Sequence, residues 1–129
     1  MKHPLPTLKN KQEFGSVYQN GRSFANRYLV MYVYGNGLNY NRIGISVSKK
    51  VGNSVVRHRI TRLIREGLRL HGDRFSTGLD IIVIARGTAK GKGQAEITSA
   101  ILHLASLHRI ILKKETAVSE RGNDETSFN

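Results

Sequence analysis

Five arginines, Arg57, Arg59, Arg62, Arg65 and Arg69, preceded by Lys49 and Lys50, are the residues whose type and spacing suit a definite chemistry, the binding of phosphate oxygens. They lie in SVSKKVGNSVVRHRITRLIREGLR, residues 46–69, where seven cations meet a single acid, Glu66. At ~100° per residue from His58, the residues Val56, Ile60, Leu63, Ile64, Gly67 and Leu70 gather on one side as an apolar stripe. His58, Arg62, Arg65 and Arg69 gather opposite, with Arg59 on one flank and Arg57 on the other. Cations three and four apart repel by roughly 0.2–0.5 kcal/mol per pair in an isolated helix. An anionic partner relieves that repulsion. The competing reading, a solvated face without a partner, does not account for the use of Arg to the exclusion of Lys. The planar guanidinium suits phosphate better than an ammonium does.

The residue types that would support other chemistry are present but badly spaced. The five acids before residue 115, Glu13, Glu66, Asp73, Asp80 and Glu96, are scattered and form no paired-carboxylate motif for two metals. His103 and His108 are five residues apart, about 140° round a helix, which is not a zinc pair. Gly91-Lys92-Gly93 lacks the surroundings of a phosphate loop and reads as a hinge. The chain has no cysteine, which excludes disulfides and thiolate metal sites. A protein-based nuclease and a protein-held metal are therefore not expected.

The elements that must carry these residues follow from patterning. With 129 residues and 39% hydrophobic content, the chain fits one domain. Its net charge of +12 points to nucleic acid. The charge is uneven: residues 1–114 hold 20 Lys/Arg against 5 Asp/Glu, and 115–129 hold 1 against 4. The expected organisation is a basic domain over 1–114 with an acidic, disordered tail over 115–129. No apolar run is long enough to cross a bilayer, the basic helix lacks the aromatic anchors of a membrane-surface helix, and a cytoplasmic location is the default.

Residues 1–9 read as an extended arm. A short helix over about Lys11–Gln19 has Asn10 as its cap and Phe14, Val17 and Tyr18 on one face. Tyr28–Tyr34 reads as a strand with Leu29, Met31 and Val33 on one side and Val30, Tyr32 and Tyr34 on the other. Arg42–Ser48 alternates Ile43, Ile45 and Val47 with a nearly bare face of Gly44, Ser46 and Ser48. Asn53 can cap the basic helix, and Gly72 follows it. Leu79–Ala85, apolar on both faces, reads as a central strand. Thr88–Gly93 reads as a mobile connection, and Gln94–Leu112 as a second long helix carrying Ile97, Ile101, Leu104, Leu107, His108 and Ile111.

Two surfaces emerge, the Arg helix and the bare strand face beside aromatic rings. The second suits a single-stranded nucleic acid, because bases stack on aromatics without sequence demands. Spacing alone leaves open whether Phe14, Tyr18 and Tyr32 line such a floor or are ordinary core.

SVSKKVGNSVVRHRITRLIRE resembles the signature of the bacterial ribonuclease P protein subunit, and the resemblance extends to EFGSVYQNGRSFANRYLVMYV before it and DIIVIAR after it, over about residues 8–112. It implies an α+β fold, a two-layer α/β sandwich in the order α-β-β-β-α-β-α with a left-handed crossover, shared with a ribosomal protein domain. It further implies a subunit that binds a catalytic RNA and helps it remove the 5′ leader of precursor tRNA. The chemistry would be magnesium-dependent and would belong to the RNA. By motif, Lys49, Lys50, Asn53, Arg57, His58, Arg59, Arg62, Arg65 and Arg69 would meet the catalytic RNA. Phe14, Tyr18, Val30, Tyr32, Ser46 and Ser48 would line a cleft for the leader. One protein would pair with one RNA. The family's helix usually reads Arg-Asn-Arg where this chain has Arg57-His58-Arg59, and a basic residue is common where Thr61 stands. The rival function is a structural RNA-binding protein of the ribosome or translation apparatus. A helix-turn-helix DNA binder is disfavoured, because strands flank the basic helix.

Overall fold

The structure, a computed structural model, describes residues 5–112. The tail expected over 115–129 and the first residues of the arm lie outside the described residues. The elements run α1 (Lys11–Asn20), β1 (Arg22–Ala25), β2 (Leu29–Gly35), β3 (Arg42–Ser46), α2 (Ser54–His71), β4 (Leu79–Ala85) and α3 (Gln94–Leu107), with short 3-10 turns at Gly72–Arg74 and Gly87–Ala89. This is the order that the resemblance implied. β1, which alternation does not locate, is only four residues long and pairs with β2 as a hairpin partner.

The sheet order is β1-β2-β4-β3, with β4 antiparallel to β2 and parallel to β3. A parallel pair needs a crossover, and α2 supplies it. The register sorts side chains by face, since neighbours in a row share a side. Rows such as Ile45–Val83–Met31–Phe24 turn to the main core with α2 and α3. Alternate rows, Gly44–Ile82–Tyr32–Ser23 and Ser46–Ile84–Val30–Ala25, turn to the side of α1. There Leu8, Val17 and Ile82 form a second, smaller core with Phe14, Tyr32, Tyr34 and Ile84 around it.

Local chemistry fixes the helix ends. The Asn10 side chain accepts from the Glu13 N–H at 2.9 Å, and the Asn53 side chain accepts from the Val56 N–H at 3.0 Å. On α2 the buried arc holds Ile60, Ile64, Gly67 and Leu68. Leu70, expected in the stripe, is 51% exposed, whereas Leu68 is 1% exposed. The stripe is turned toward Leu68 because α2 is covered from two directions, by the sheet and by α3. Gly67 permits the second contact: a Cβ there would stand 2.8 Å from Ile101 Cδ1 and 3.1 Å from Thr98 Oγ1.

Three other expectations are corrected. β3 stops at Ser46, because the chain leaves the sheet through Val47 and Ser48 toward α2. The last helix stops at Leu107 rather than Leu112. Arg109 adopts φ 61°, its N–H donates to the Ser106 carbonyl and that of Ile110 to the Ala105 carbonyl, and this cap turns the chain back so that Ile111 bridges Phe75. Thr88–Gly93 is a compact turn with Ala89 fully buried, so its glycines serve a tight path. Among the described residues no helix is long and apolar enough to cross a membrane.

Candidate nucleic-acid interface

The β3–α2 connection and α2 carry the cationic site. Val51 is buried beneath it and its N–H donates to the Ser48 carbonyl, a turn that leaves Lys49 and Lys50 exposed. Along α2, His58, Arg62 and Arg65 are exposed and have no hydrogen-bond or ion-pair partner among the described residues. The other arginines have partial duties. Arg57 donates from Nη1 to the Gly52 carbonyl, and Arg59 from Nη1 to the Lys92 carbonyl, each at 2.9 Å. A guanidinium has five N–H groups, so both keep donors for a ligand. Arg69 is held by Glu66 through Nε–Oε1 at 3.0 Å and Nη2–Oε2 at 2.5 Å. The Asn53 side-chain oxygen is committed to the helix cap, which makes Asn53 first of all the residue that starts α2. The unencumbered donors are therefore Lys49, Lys50, His58, Arg62 and Arg65.

The second surface lies on the α1 side of the sheet. α1 crosses the row Gly44–Ile82–Tyr32, and a Cβ at Gly44 would stand 2.7 Å from the Phe14 ring and 3.1 Å from Leu8. Gly44 is thus a seat for Phe14, and the part of the face expected to be bare is filled there. The next row, Ser46–Ile84–Val30–Ala25, stays partly open. Tyr18, at the end of α1, is 39% exposed and stands over this boundary. Its ring is 5.0 Å from that of Tyr32 at 84°, an edge-to-face contact, and 6.4 Å from that of Phe14. Burial pushes the Tyr18 phenol above its usual range, a hydrogen bond with Ser46 lowers it in part, and Tyr32 raises it. The phenol is therefore neutral at physiological pH.

Of the six cleft residues read from the sequence, the structure brings Tyr18, Tyr32 and Ser46 together, sets Phe14 beneath them, and places Val30 in the same row as Ser46, across Ile84. Ser48 is exposed past the end of β3, beside Lys49. Ile84 completes the floor and was missed. Its signal was the alternation of Ile82 and Ile84, hidden because Leu79–Ala85 is apolar on both faces.

The acids are less scattered in space than in sequence. Glu13 and Asp80 converge on Arg42, which closes the end of the α1 face away from Ser46. A guanidinium between two carboxylates leaves no seat for a cation. Among the described residues no group of three or more His, Asp or Glu could hold a metal. His103 Nδ1 lies 3.1 Å from the Asn26 side-chain nitrogen, and His108 Nε2 lies 2.9 Å from the Met31 carbonyl with its ring 4.7 Å from that of Phe24, so both have structural partners.

A family profile for ribonuclease P matches residues 4–109. Over 109 residues, 84% of this chain and 94% of the other, the sequence is 63% identical to the ribonuclease P protein component of Lachnoclostridium phytofermentans. Among solved structures it is similar to the RNase P protein of Staphylococcus aureus, with a TM-score of 0.76, 38% identity and coverage of 81% of this chain and 96% of that one. The RNase P protein of Thermotoga maritima superposes with a TM-score of 0.73 at 28% identity, covering 78% of this chain and 96% of that one.

Proposed function

Because the chain belongs to the ribonuclease P protein family, we propose that it binds the catalytic RNA of ribonuclease P through α2 and the 5′ leader of precursor tRNA through the α1-side cleft. The observation that carries this is the continuity of the two surfaces. Ser46 ends the cleft floor, and seven residues later Asn53 begins the cationic helix, with Lys49 and Lys50 exposed between them. A strand of RNA leaving the cleft past Ser48 meets cations at once.

The division of labour follows from the donors. Lys49, Lys50, His58, Arg62 and Arg65 offer charge-assisted hydrogen bonds to the phosphates of a folded RNA, with the flanking Arg57 and Arg59 adding their remaining N–H groups. Tyr18, Tyr32, Val30, Ile84 and Ser46 offer ring, aliphatic and hydroxyl surface to unpaired nucleotides, which suits a leader of any sequence. Magnesium chemistry belongs to the RNA in this reading. Four of the five described carboxylates are already engaged, Glu13 and Asp80 by Arg42, Glu66 by Arg69 and Glu96 by the Gly93 N–H, and the fifth, Asp73, belongs to no group of three or more His, Asp or Glu that could hold a metal among the described residues. The protein's part is to neutralise repulsion between two polyanions and to hold the leader, as one protein with one RNA in the cytoplasm.

The experiment is reconstitution with the RNA that copurifies with the tagged protein. Protein alone should leave precursor tRNA intact, and protein with RNA should release the 5′ leader at lower magnesium than the RNA needs by itself. A copurifying ribosomal RNA in place of a catalytic one would favour the structural alternative. Cleavage by RNA-free protein would overturn the proposal.

A further inference from the structure

A second cluster of cations lies where the β1–β2 turn meets the β4–α3 connection, two residues beyond Val30 and Ile84 of the cleft floor. The Arg27 guanidinium carbon is 5.7 Å and the Lys92 ammonium 5.4 Å from the centroid of the Tyr28 ring. Two cations on one aromatic ring are held by its quadrupole yet repel each other. The backbone around them is laced together. Arg86 donates from Nη1 to the Asn26 carbonyl at 2.7 Å, its N–H donates to the Tyr28 carbonyl at 2.9 Å, and the Thr88 hydroxyl donates to the Arg27 carbonyl. Arg59 of α2 reaches the same loop at the Lys92 carbonyl. Beside Tyr28 lies an open cavity of about 530 Å³ walled by the small residues Ala95, Ser99 and Ala100 of α3. Glu96, the acid that lines it, has Oε1 engaged by the Gly93 N–H.

We infer that Tyr28, Arg27, Lys92 and Arg86 form a further RNA-backbone site, joined to the α2 face through Arg59, in which the Tyr28 ring positions two cations for phosphate. The inference rests on the reading of α2 as an RNA-binding helix and enlarges it. The repulsion between Arg27 and Lys92 is relieved when the phosphates of an RNA backbone pass beside them. The small-residue wall leaves room for the sugar-phosphate chain to lie close to α3. A ring already engaged with two cations serves them rather than a base, so the site holds RNA without reading its sequence.

The chain lacks cysteine, so a single thiol introduced into the full-length protein carries a cleavage reagent to one place. Ser99→Cys reports on the cavity and Ser54→Cys on the start of α2. The probe RNA is the ribonuclease P RNA of Lachnoclostridium phytofermentans, whose protein is the 63%-identical relative. Iron–EDTA tethered to the Ser99→Cys variant should cut a set of nucleotides distinct from those cut when it is tethered to the Ser54→Cys variant. Arg27→Ala with Lys92→Ala should weaken binding on the order of tenfold and lower the slope of log affinity against log salt by about two units. Tyr28→Leu should reproduce part of that loss while Tyr28→Phe, which keeps the ring, should bind as the parent does. Cuts from the helix-start variant without cuts from the cavity variant, or an unchanged slope in the Arg27/Lys92 double variant, would overturn the second site and leave the α2 reading standing. Cuts from neither position would overturn both.

Discussion

Arg42 grips Asp80 with two parallel hydrogen bonds, Nε to Oδ1 and Nη2 to Oδ2, both 2.8 Å long. Asp80 is 3% exposed and also accepts from the Asn36 side chain at 2.9 Å. The third arm of the guanidinium, Nη1, reaches Glu13 on α1 at 3.1 Å. One side chain therefore joins the sheet, where it completes a buried pair, to the helix that carries Phe14 and Tyr18.

Arg42→Ala should cost about 3–5 kcal/mol of folding stability, because it strands a buried carboxylate. Glu13→Ala should cost no more than about 1 kcal/mol, since that pair is partly solvated. Denaturant titrations of the two variants test this, and equal losses would refute the division between a buried and a surface pair.

Arg62→Ala combined with Arg65→Ala should weaken binding to the ribonuclease P RNA and lower its salt slope by up to about two units. Folding should survive, because both side chains are exposed and make no contact to another side chain by hydrogen bond or ion pair among the described residues. A melting curve beside a salt titration of affinity measures both. Full affinity with an unchanged slope would mean that the cationic face of α2 meets only water.

Tyr18→Ala and Tyr32→Ala separate floor from core. Loss of stacking should cost about 1–3 kcal/mol per engaged base in binding of precursor tRNA to the assembled enzyme, with mature tRNA nearly unaffected. Tyr32, under Tyr18 and packed with Ile82, should also lose stability, and Tyr18 much less. A large fall in melting temperature for Tyr18→Ala with equal loss for both RNAs would remove it from the floor.

His108 gives the fold a pH dependence of its own. Burial lowers its pKa below the ordinary value, opposed in part by the bond to the Met31 carbonyl and reinforced by Arg22. The folded state thus takes up the proton later than the unfolded chain as pH falls. The contribution is fully present above the ordinary histidine range, near 6.5, and is lost as pH falls from there through the folded value. Melts from about pH 8 to 5, spanning that range, should show this decline, and His108→Gln should flatten it. Equal slopes for both proteins would exclude the mechanism.

The basic helix was legible in the sequence because its charges and its apolar residues obey one period, and Ser54–His71 folds on that period. What spacing misjudged was the direction of burial, Leu68 in place of Leu70, since a second helix packing at Gly67 leaves no local mark. Alternation found β2 and β3 but not the four residues of β1, which are too short to alternate and are mostly exposed. The end of α3 was overrun because Ile111 falls on the helical period, and only the left-handed turn at Arg109 diverts it to Phe75. In the cleft, Gly44 suggested open space, whereas the missing side chain is the socket for Phe14. A gap in one strand and a ring on a helix 30 residues earlier fit together only in three dimensions.

The arm ahead of α1 has a consequence for the life of the protein in a crowded solution. The Leu8 N–H donates to the Ile43 carbonyl and the Ile43 N–H to the Pro6 carbonyl, each at 2.9 Å, so Pro6–Leu8 occupies the outer side of β3. Without it, β3 would present an unpaired edge next to the apolar Ile43, an invitation to edge-to-edge pairing between copies and to aggregation. The two prolines flanking Leu5 cannot donate a backbone hydrogen bond. The segment that shields the edge is thus itself a poor template for another strand, and the sheet ends there rather than growing.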